Sequence, residues 1–493
     1  MNVLLIYPKF PDTFWSFKYA LKFIRKKAAH PPLGLLTVAA MLPDHFNRRL
    51  VDVNVDSLSD DHLAWADLVF IGGMAVQRDS AKQIIARCKT ADLKVVAGGP
   101  LFTAEPEMFE EVDHLVLDEA EITLPAFLKD LKNGRLKKIY RASGFCDIQR
   151  TPPPDWDLVE MEKYASISIQ FSRGCPFNCD FCNVTVLFGH KSRLKSAQQV
   201  ISELDRIYDA GWRGNIFFVD DNFIGNKRYL KAHLLPALIQ WRTEKKGCAF
   251  FTEASINLAD DAELMDLMVA AGFDSVFIGI ETPNNDSLTE CQKIQNKNRD
   301  LMQDVKVLQR AGLEVQGGFI VGFDSDTPST FEQLVDFIQK SGIVTAMVGL
   351  LQAPPGTRLF DRLKKENRLI GMKISGDNVD GTTNINPKMG LDQLKNGYRF
   401  IMGHLYAPKH YYRRVKVFLK EFGSSKVKMP IDLQRLLAVF RSGIQLGILG
   451  KERFHFWYLM TWTLLRKPRL LPLSITFAIY GYHFRRICEK HIL

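Results

Sequence analysis

The chain has 493 residues, which at about 100 to 200 residues per domain implies two to four domains, with three as the working number. A hydrophobic content of 46% with 24% charged residues excludes a disordered or fibrous chain, and eight cysteines in this length are too sparse for a disulfide scaffold. The net charge of +10 is gathered at one end: after residue 400 there are 17 Lys and Arg against 4 Asp and Glu, so the first 400 residues are slightly acidic.

At the amino terminus, MNVLLIYPKF reads as a short buried strand entering a loop. It lacks the early basic region and long apolar stretch of a secretory signal, so a cytoplasmic protein is expected. Four more apolar runs, RLVDVNV, DLVFIGG, LKVVAGG and DHLVLDE, alternate with helical patterns. Strand and helix in alternation give a parallel sheet, hence an α/β Rossmann-like domain over residues 1 to 142. Ligands of such sheets bind where the strands end. Gly72, Gly73, Gly98 and Gly99 stand at those ends, where a missing side chain lets a ligand approach the backbone. The first connection, from about Pro8 to Gly34, far exceeds the usual loop length and is expected to be a functional loop or lid.

Residues 143 to 160, with TPPPDWD inside, form a proline-rich linker. A second alternating series follows in SISIQFS, NIFFVDD, CAFFTEA, SVFIGIE, VQGGFIV and TAMVGLLQ, and six such strands predict a partial (β/α)6 barrel over residues 161 to 385. Catalytic groups should then lie just after the strand ends, where Asp220, Asp221, Glu253, Glu281 and Gln352 fall. From residue 386 to 493 the strand rhythm stops and basic, aromatic helical segments take over. The most apolar run, Leu470 to Phe484, is about 15 residues and contains Pro472, short of the ~18 to 20 needed to span a bilayer. FHFWYLMTWTLL at 454 to 465 has the composition either of an interfacial anchor or of a helix buried against the barrel.

Five cysteines are scattered, at Cys88, Cys146, Cys248, Cys291 and Cys488, while Cys175, Cys179 and Cys182 sit together in FSRGCPFNCDFCN. A structural [4Fe-4S] cluster takes four cysteines, so three leave one iron open to a substrate or cofactor. Zinc is the alternative, with His190 completing a Cys3His set.

The spacing C-x3-C-x2-C after a first barrel strand is similar to the signature of the radical S-adenosylmethionine (SAM) superfamily. That resemblance implies a [4Fe-4S] cluster on Cys175, Cys179 and Cys182 whose open iron is chelated by the amino and carboxylate groups of SAM. Its reduction cleaves SAM to methionine and a 5′-deoxyadenosyl radical. The resemblance also implies that Phe181 packs near the adenine, that Asp220 or Asp221 binds the SAM amino group, and that Glu281 in IGIETP is a fourth-strand motif. Gly318 and Gly322 in GFIVGFD then belong to a fifth-strand motif beside the adenine.

A Rossmann-like domain before such a barrel resembles the cobalamin-binding class, through YPKF, HPPLGLLTVAAML and VVAGGP. Gly72, Gly73, Gly98 and Gly99 are then the cobalamin candidates. The Asp-x-His-x-x-Gly motif is absent, and His30 before PPLG is either a cobalt ligand or loop packing. FVDDNFIGNKRYLK and LLQAPPGTRLFDRLKKENRL resemble more narrowly the subgroup containing hopanoid C-2 methylases. The implied activity is a cobalamin-dependent radical SAM methyltransferase acting on an unactivated carbon, with methylcobalamin as methyl donor and a second SAM restoring it. A hydrophobic or lipid-like small-molecule substrate fits the basic aromatic tail, as does peripheral membrane contact through the C-terminal region. An electron donor such as flavodoxin or ferredoxin is expected, and no RNA-binding motif is present to suggest nucleic acid. A radical SAM cyclase or rearrangement enzyme and a non-catalytic cobalamin- or redox-responsive Fe-S protein are the alternatives.

Overall fold

The computed structural model describes residues 1–377, 379–423 and 433–493. Strands β1 (Asn2–Tyr7), β2 (Asn47–Asp52), β3 (Leu68–Gly72), β4 (Lys94–Gly98), β5 (His114–Val116) and β6 (Ile139–Tyr140) form one parallel sheet in the order β2-β1-β3-β4-β5-β6. Leu4 and Ile6 of β1 enter one apolar cluster with Val69, Ile71 and Val95, while Val3 and Leu5 enter another with Phe70, Val96 and Phe127. Both faces are therefore covered, and this is why the strands read as unbroken apolar runs. The two-residue β6 has no such run and left no sequence signal. The order 2-1-3-4-5 is the flavodoxin-like arrangement, whose ligand crevice opens at the strand ends beside the β1/β3 switch point.

After β7 (Ser166–Ile169) comes a small antiparallel hairpin, β8 (Ser172–Arg173) with β9 (Arg193–Leu194). Then follow β10 (Asn215–Phe218), β11 (Ala249–Ala254), β12 (Phe273–Glu281), β13 (Glu314–Val321) and β14 (Ala346–Leu350). The six longer strands lie side by side in chain order, all parallel, with β7 and β14 as the edges of an open barrel. Phe218, Phe250 and Phe273 point outward into the core beneath the helices. Facing inward at one level are Ser168, Phe217, Phe251, Ser275 and Glu314, with Glu253, Phe277 and Gln316 one layer nearer the strand ends.

The long first connection is not a lid, which corrects the expectation from its length. Phe14 is buried and stacks on Phe484 of the C-terminal helix Leu471–His491, with ring centroids 3.9 Å apart and planes 6° apart. His483 Nε2 bonds the Phe14 carbonyl at 2.8 Å, and Trp15 Nε1 donates to Met347 Sδ at 2.9 Å while its ring meets Phe277 edge-on. The loop thus closes the base of the barrel. His30 belongs to the same plug: its Nδ1 bonds Ser166 Oγ at 2.9 Å, its ring lies on Phe217, and burial lowers its pKa to about 4. Of the two roles open to His30, loop packing is the one its surroundings serve.

The helices after residue 391 share the barrel's core. Arg414 is fully buried and donates to the carbonyls of Leu405 and Val344, and Tyr406 Oη donates to the Ala346 carbonyl at the base of β14. Among the described residues no helix is long and apolar enough to cross a membrane.

Candidate active site

Beyond Ile169 the chain turns through Phe171 and Ser172 into the loop of Cys175, Cys179 and Cys182. The turn is held from the neighbouring strand end. Asp220, fully buried just past β10, accepts from the amides of Phe171 at 3.1 Å and of Ser172. Asp221 accepts a longer bond, 3.4 Å, from the Gly174 amide. Gly174 has φ +91°, and a side chain there would lie within 2.9 Å of the carbonyls of Lys191, Gly189 and Phe188, so only glycine lets the loop pass beneath the hairpin. The Cys175 amide then donates to Gly189 and the Cys182 amide to Cys179.

All three thiols are free and half-buried. Burial raises the pKa of each, that of Cys182 to about 12, while the Lys293 ammonium pulls the other way. Side-chain amides approach two of the sulfurs: Asn222 Nδ2 is 4.0 Å from Cys175 Sγ and Gln295 Nε2 is 3.8 Å from Cys179 Sγ. Such N–H donors and a nearby cation suit thiolates held by iron, since a coordinating metal deprotonates the thiol outright. Among the described residues no three His, Cys, Asp or Glu side chains gather closely enough for a single ion, and His190 is exposed, so a Cys3His zinc site is not assembled. A four-iron cube holds its cysteines farther apart than one tetrahedral ion does. Cys291, below the loop, donates to the Leu288 carbonyl and joins an apolar cluster with Phe323 and Leu359, leaving the donor set at three. That set fits a cluster with one iron open.

Around the loop stand further carboxylates. Glu281 ends β12 in the left-handed region, φ +62°, and pairs with half-buried Lys293 at 2.6 Å. Burial pushes Asp220 up to about 7 and Asp221 to about 6. Glu253, level with Phe277 on β11, is pushed up to about 8 by burial and by Asp221 and Asp220. Phe181 faces Phe323 with ring centroids 6.3 Å apart. Gly322 donates its amide to Asp326 at 2.8 Å, whereas Gly318 lies inside the barrel against the Phe277 ring. Gln352 instead hydrogen-bonds the Thr382 carbonyl.

The first sheet presents its strand ends to this loop. Gly72 and Gly98 pair in register at the ends of β3 and β4, with Gly73 and Gly99 following them. A Cβ on Gly98 would come 2.5 Å from the Val116 carbonyl, so this edge closes only because it is bare. Beside it, past β5, Glu119 and Glu121 reach across to the cysteine loop. Arg173 bonds Glu119 at 3.0 Å and Glu121 at 2.7 Å, Arg193 bonds Glu119 at 2.8 Å, and these side chains are 3% to 16% exposed. Because Arg173 and Arg193 also pair across β8 and β9, one buried ion network ties the first sheet to the loop of the three cysteines. Sequence patterns singled out none of these four residues, nor Lys293 and Gln295. Asn222 lies within the strand-end segment FVDDNF but carries no motif of its own.

A bare-edged sheet of flavodoxin-like order docked on a three-cysteine barrel defines a radical enzyme of the cobalamin-binding type. The Radical SAM superfamily model matches residues 169–338, the B12 binding domain model residues 24–128, and a domain of unknown function (DUF4070) residues 357–492. An uncharacterised methyltransferase (sll1242) of Synechocystis sp. is 42% identical over 99% of this chain and 92% of its own length. The hopanoid C-2 methylase of Rhodopseudomonas palustris is 34% identical over 92% of this chain and 88% of its own. The chain belongs to this family of cobalamin-binding radical SAM methyltransferases, whose cofactors are a [4Fe-4S] cluster, SAM and cobalamin. Two solved structures share its fold. The cobalamin-dependent SAM radical enzyme OxsB has a TM-score of 0.63 at 15% identity over 99% of this chain and 80% of its own. The radical SAM methyltransferase TsrM of Kitasatospora setae has 0.59 at 17%, over 74% and 78%.

Proposed function

We propose that this enzyme methylates an unactivated carbon of a hydrophobic, lipid-like molecule, receiving electrons from a flavodoxin or ferredoxin and working against a membrane surface. The observation that supports methyl transfer most directly is the ion network of Arg173 and Arg193 with Glu119 and Glu121, which sets the bare strand ends of the first sheet beside the cysteine loop. When bound, the cluster and SAM supply a hydrogen-abstracting radical and cobalamin supplies the methyl group.

The chain's own residues bind, orient and shield. Cys175, Cys179 and Cys182 hold the cluster, and the amides of Asn222 and Gln295 steady the sulfurs. Of the two aspartates, Asp220 spends its carboxylate on the amides of Phe171 and Ser172, which leaves Asp221 to receive the SAM ammonium. Phe181, against Phe323, offers an apolar wall for the adenine, and Gly318, Gly322 and Glu281 complete the SAM side of the site. Gly72, Gly73, Gly98 and Gly99 form the cobalamin side. The phenylalanines of the lumen and the plug of Trp15 and His30 keep water from entering at the base.

The lipid-like substrate is supported by the relation to hopanoid C-2 methylase, which extends over 92% of this chain, together with the basic aromatic tail. The test is anaerobic turnover of the reconstituted enzyme with dithionite, SAM, cobalamin and a total lipid extract. A lipid gaining one methylene unit, with 5′-deoxyadenosine as coproduct, is expected, and replacement of any of the three cysteines by alanine should abolish both. A product isomeric with its precursor would replace methyl transfer by rearrangement. Methylation confined to water-soluble compounds would remove the lipid.

A further inference from the structure

Half of the large apolar side chains left exposed among the described residues fall between Leu436 and Leu465. They lie on two adjoining helices, Leu433–Gly447 and Arg453–Arg466. Phe440, Ile444 and Ile448 recur every four residues on or just past the first, and Phe454, Tyr458 and Leu465 share one side of the second. Phe454 is 76% and Leu465 78% exposed. The opposite sides of the same helices are already packed, with Leu446, Phe456 and Leu459 buried in the core. These helices are therefore apolar on two sides, one serving the fold and the other facing out. Large apolar side chains left facing outward on two adjoining helices of a folded protein mark an interaction site.

The charge around the patch says what kind. From residue 433 to the end there are ten Lys and Arg and two acids. Both acids are occupied: Glu452 pairs with Arg485 at 2.6 Å, and Glu489 with Arg485 at 3.4 Å and Arg486 at 3.6 Å. Lys451 and Arg453 stand at one end of the second helix, Arg466 and Arg469 at the other. A second copy of this face would bring like-charged rims together. An anionic lipid headgroup layer complements the rim, while the apolar side chains enter the acyl boundary and Trp457 and Tyr458 supply the aromatic contacts such interfaces favour.

We propose that the outer face of these two helices is a monotopic docking surface for an anionic bilayer. It deepens the substrate assignment above and rests on it for its purpose, since a docked enzyme can draw a bilayer-dissolved substrate.

The experiment is co-sedimentation of the reconstituted full-length chain with phosphatidylcholine vesicles, with and without phosphatidylglycerol, at low and high salt. The parent should bind the anionic vesicles and be released by salt. Phe454→Glu with Leu465→Glu should abolish binding, and Lys451→Gln with Arg453→Gln and Arg469→Gln should weaken it about a hundredfold. Unchanged circular dichroism and iron content would show that the variants are folded. A parent that ignores vesicles, variants that bind as well as the parent, or a parent dimer split by Phe454→Glu would overturn the proposal, the last in favour of a second copy. Vesicle binding without methylation of any lipid would sink the substrate and keep the surface. Methylation of detergent-dispersed lipid by a chain that ignores vesicles would do the reverse.

Discussion

Asp220 and Asp221 are adjacent in sequence and opposite in what they have left to give. Both carboxylate oxygens of Asp220 are engaged by backbone amides in the turn before the cysteines, and the group is wholly buried. Asp221 makes one long bond and keeps capacity for a cation. Asp221→Asn should therefore weaken SAM binding at least tenfold with little change in melting temperature. Asp220→Asn should lower stability by about 1 to 3 kcal/mol, because one oxygen acceptor becomes a donor facing an amide. Calorimetric titration of SAM and thermal melting on each variant would decide it, and the opposite pattern would exchange the two roles. The cysteine triplet was legible because its three ligands lie within eight residues of one loop, so spacing alone reveals them. Lys293, Asn222 and Gln295 were not: Asn222 follows β10 while Lys293 and Gln295 share the connection after β12, and a polar residue in a loop has no distinctive local pattern.

At the scale of elements, the strands were legible wherever a sheet is covered on both faces, because burial forces an apolar run. Besides the two-residue β6, two features escaped. The hairpin β8–β9 has four paired residues and no turn signal, and the first connection has the length of a lid yet serves as a plug, a fact fixed by Phe484 and His483 more than 450 residues away. The hairpin matters because it carries Arg173 and Arg193 to the glutamates of the first sheet. Against burial, which raises it, Arg173 with Thr151 holds Glu121 down near pKa 2, so this contribution is present above the ordinary carboxylate range and is lost as pH falls toward 2. Arg173→Met strands Glu121 in a buried setting and should cost about 3 to 5 kcal/mol at neutral pH. Replacing Glu121 by methionine as well should recover much of that loss, since an apolar pair of similar volume avoids both desolvation costs. A double-mutant cycle in denaturant measures the coupling, and strict additivity would show that the network does not join the two domains.

Taken whole, the molecule buries several carboxyls whose charges the fold opposes. At the base of the barrel Asp274 is pushed up to about 7 by burial, and Glu314 to about 8 by burial and by Asp274. Glu314 Oε1 has no hydrogen-bond partner, and Tyr480 of the C-terminal helix lies within reach of both charges. A carboxyl with a raised pKa keeps its proton in the folded chain at pH values where the unfolded chain has lost it. Folding then takes up protons, and the stability this group allows is full below the ordinary carboxylate range and declines as pH rises toward 8. Glu314→Gln removes one such group far in function from the cysteines. Near pH 4 the variant and the parent should be equally stable. By pH 8 the variant should be the more stable by on the order of 2 kcal/mol, measured as the difference in denaturation free energy across the range. Parallel pH profiles for the two proteins would mean that the carboxylate at the barrel base is relieved of its charge by water and that the plug of the first loop and the last helix is not sealed.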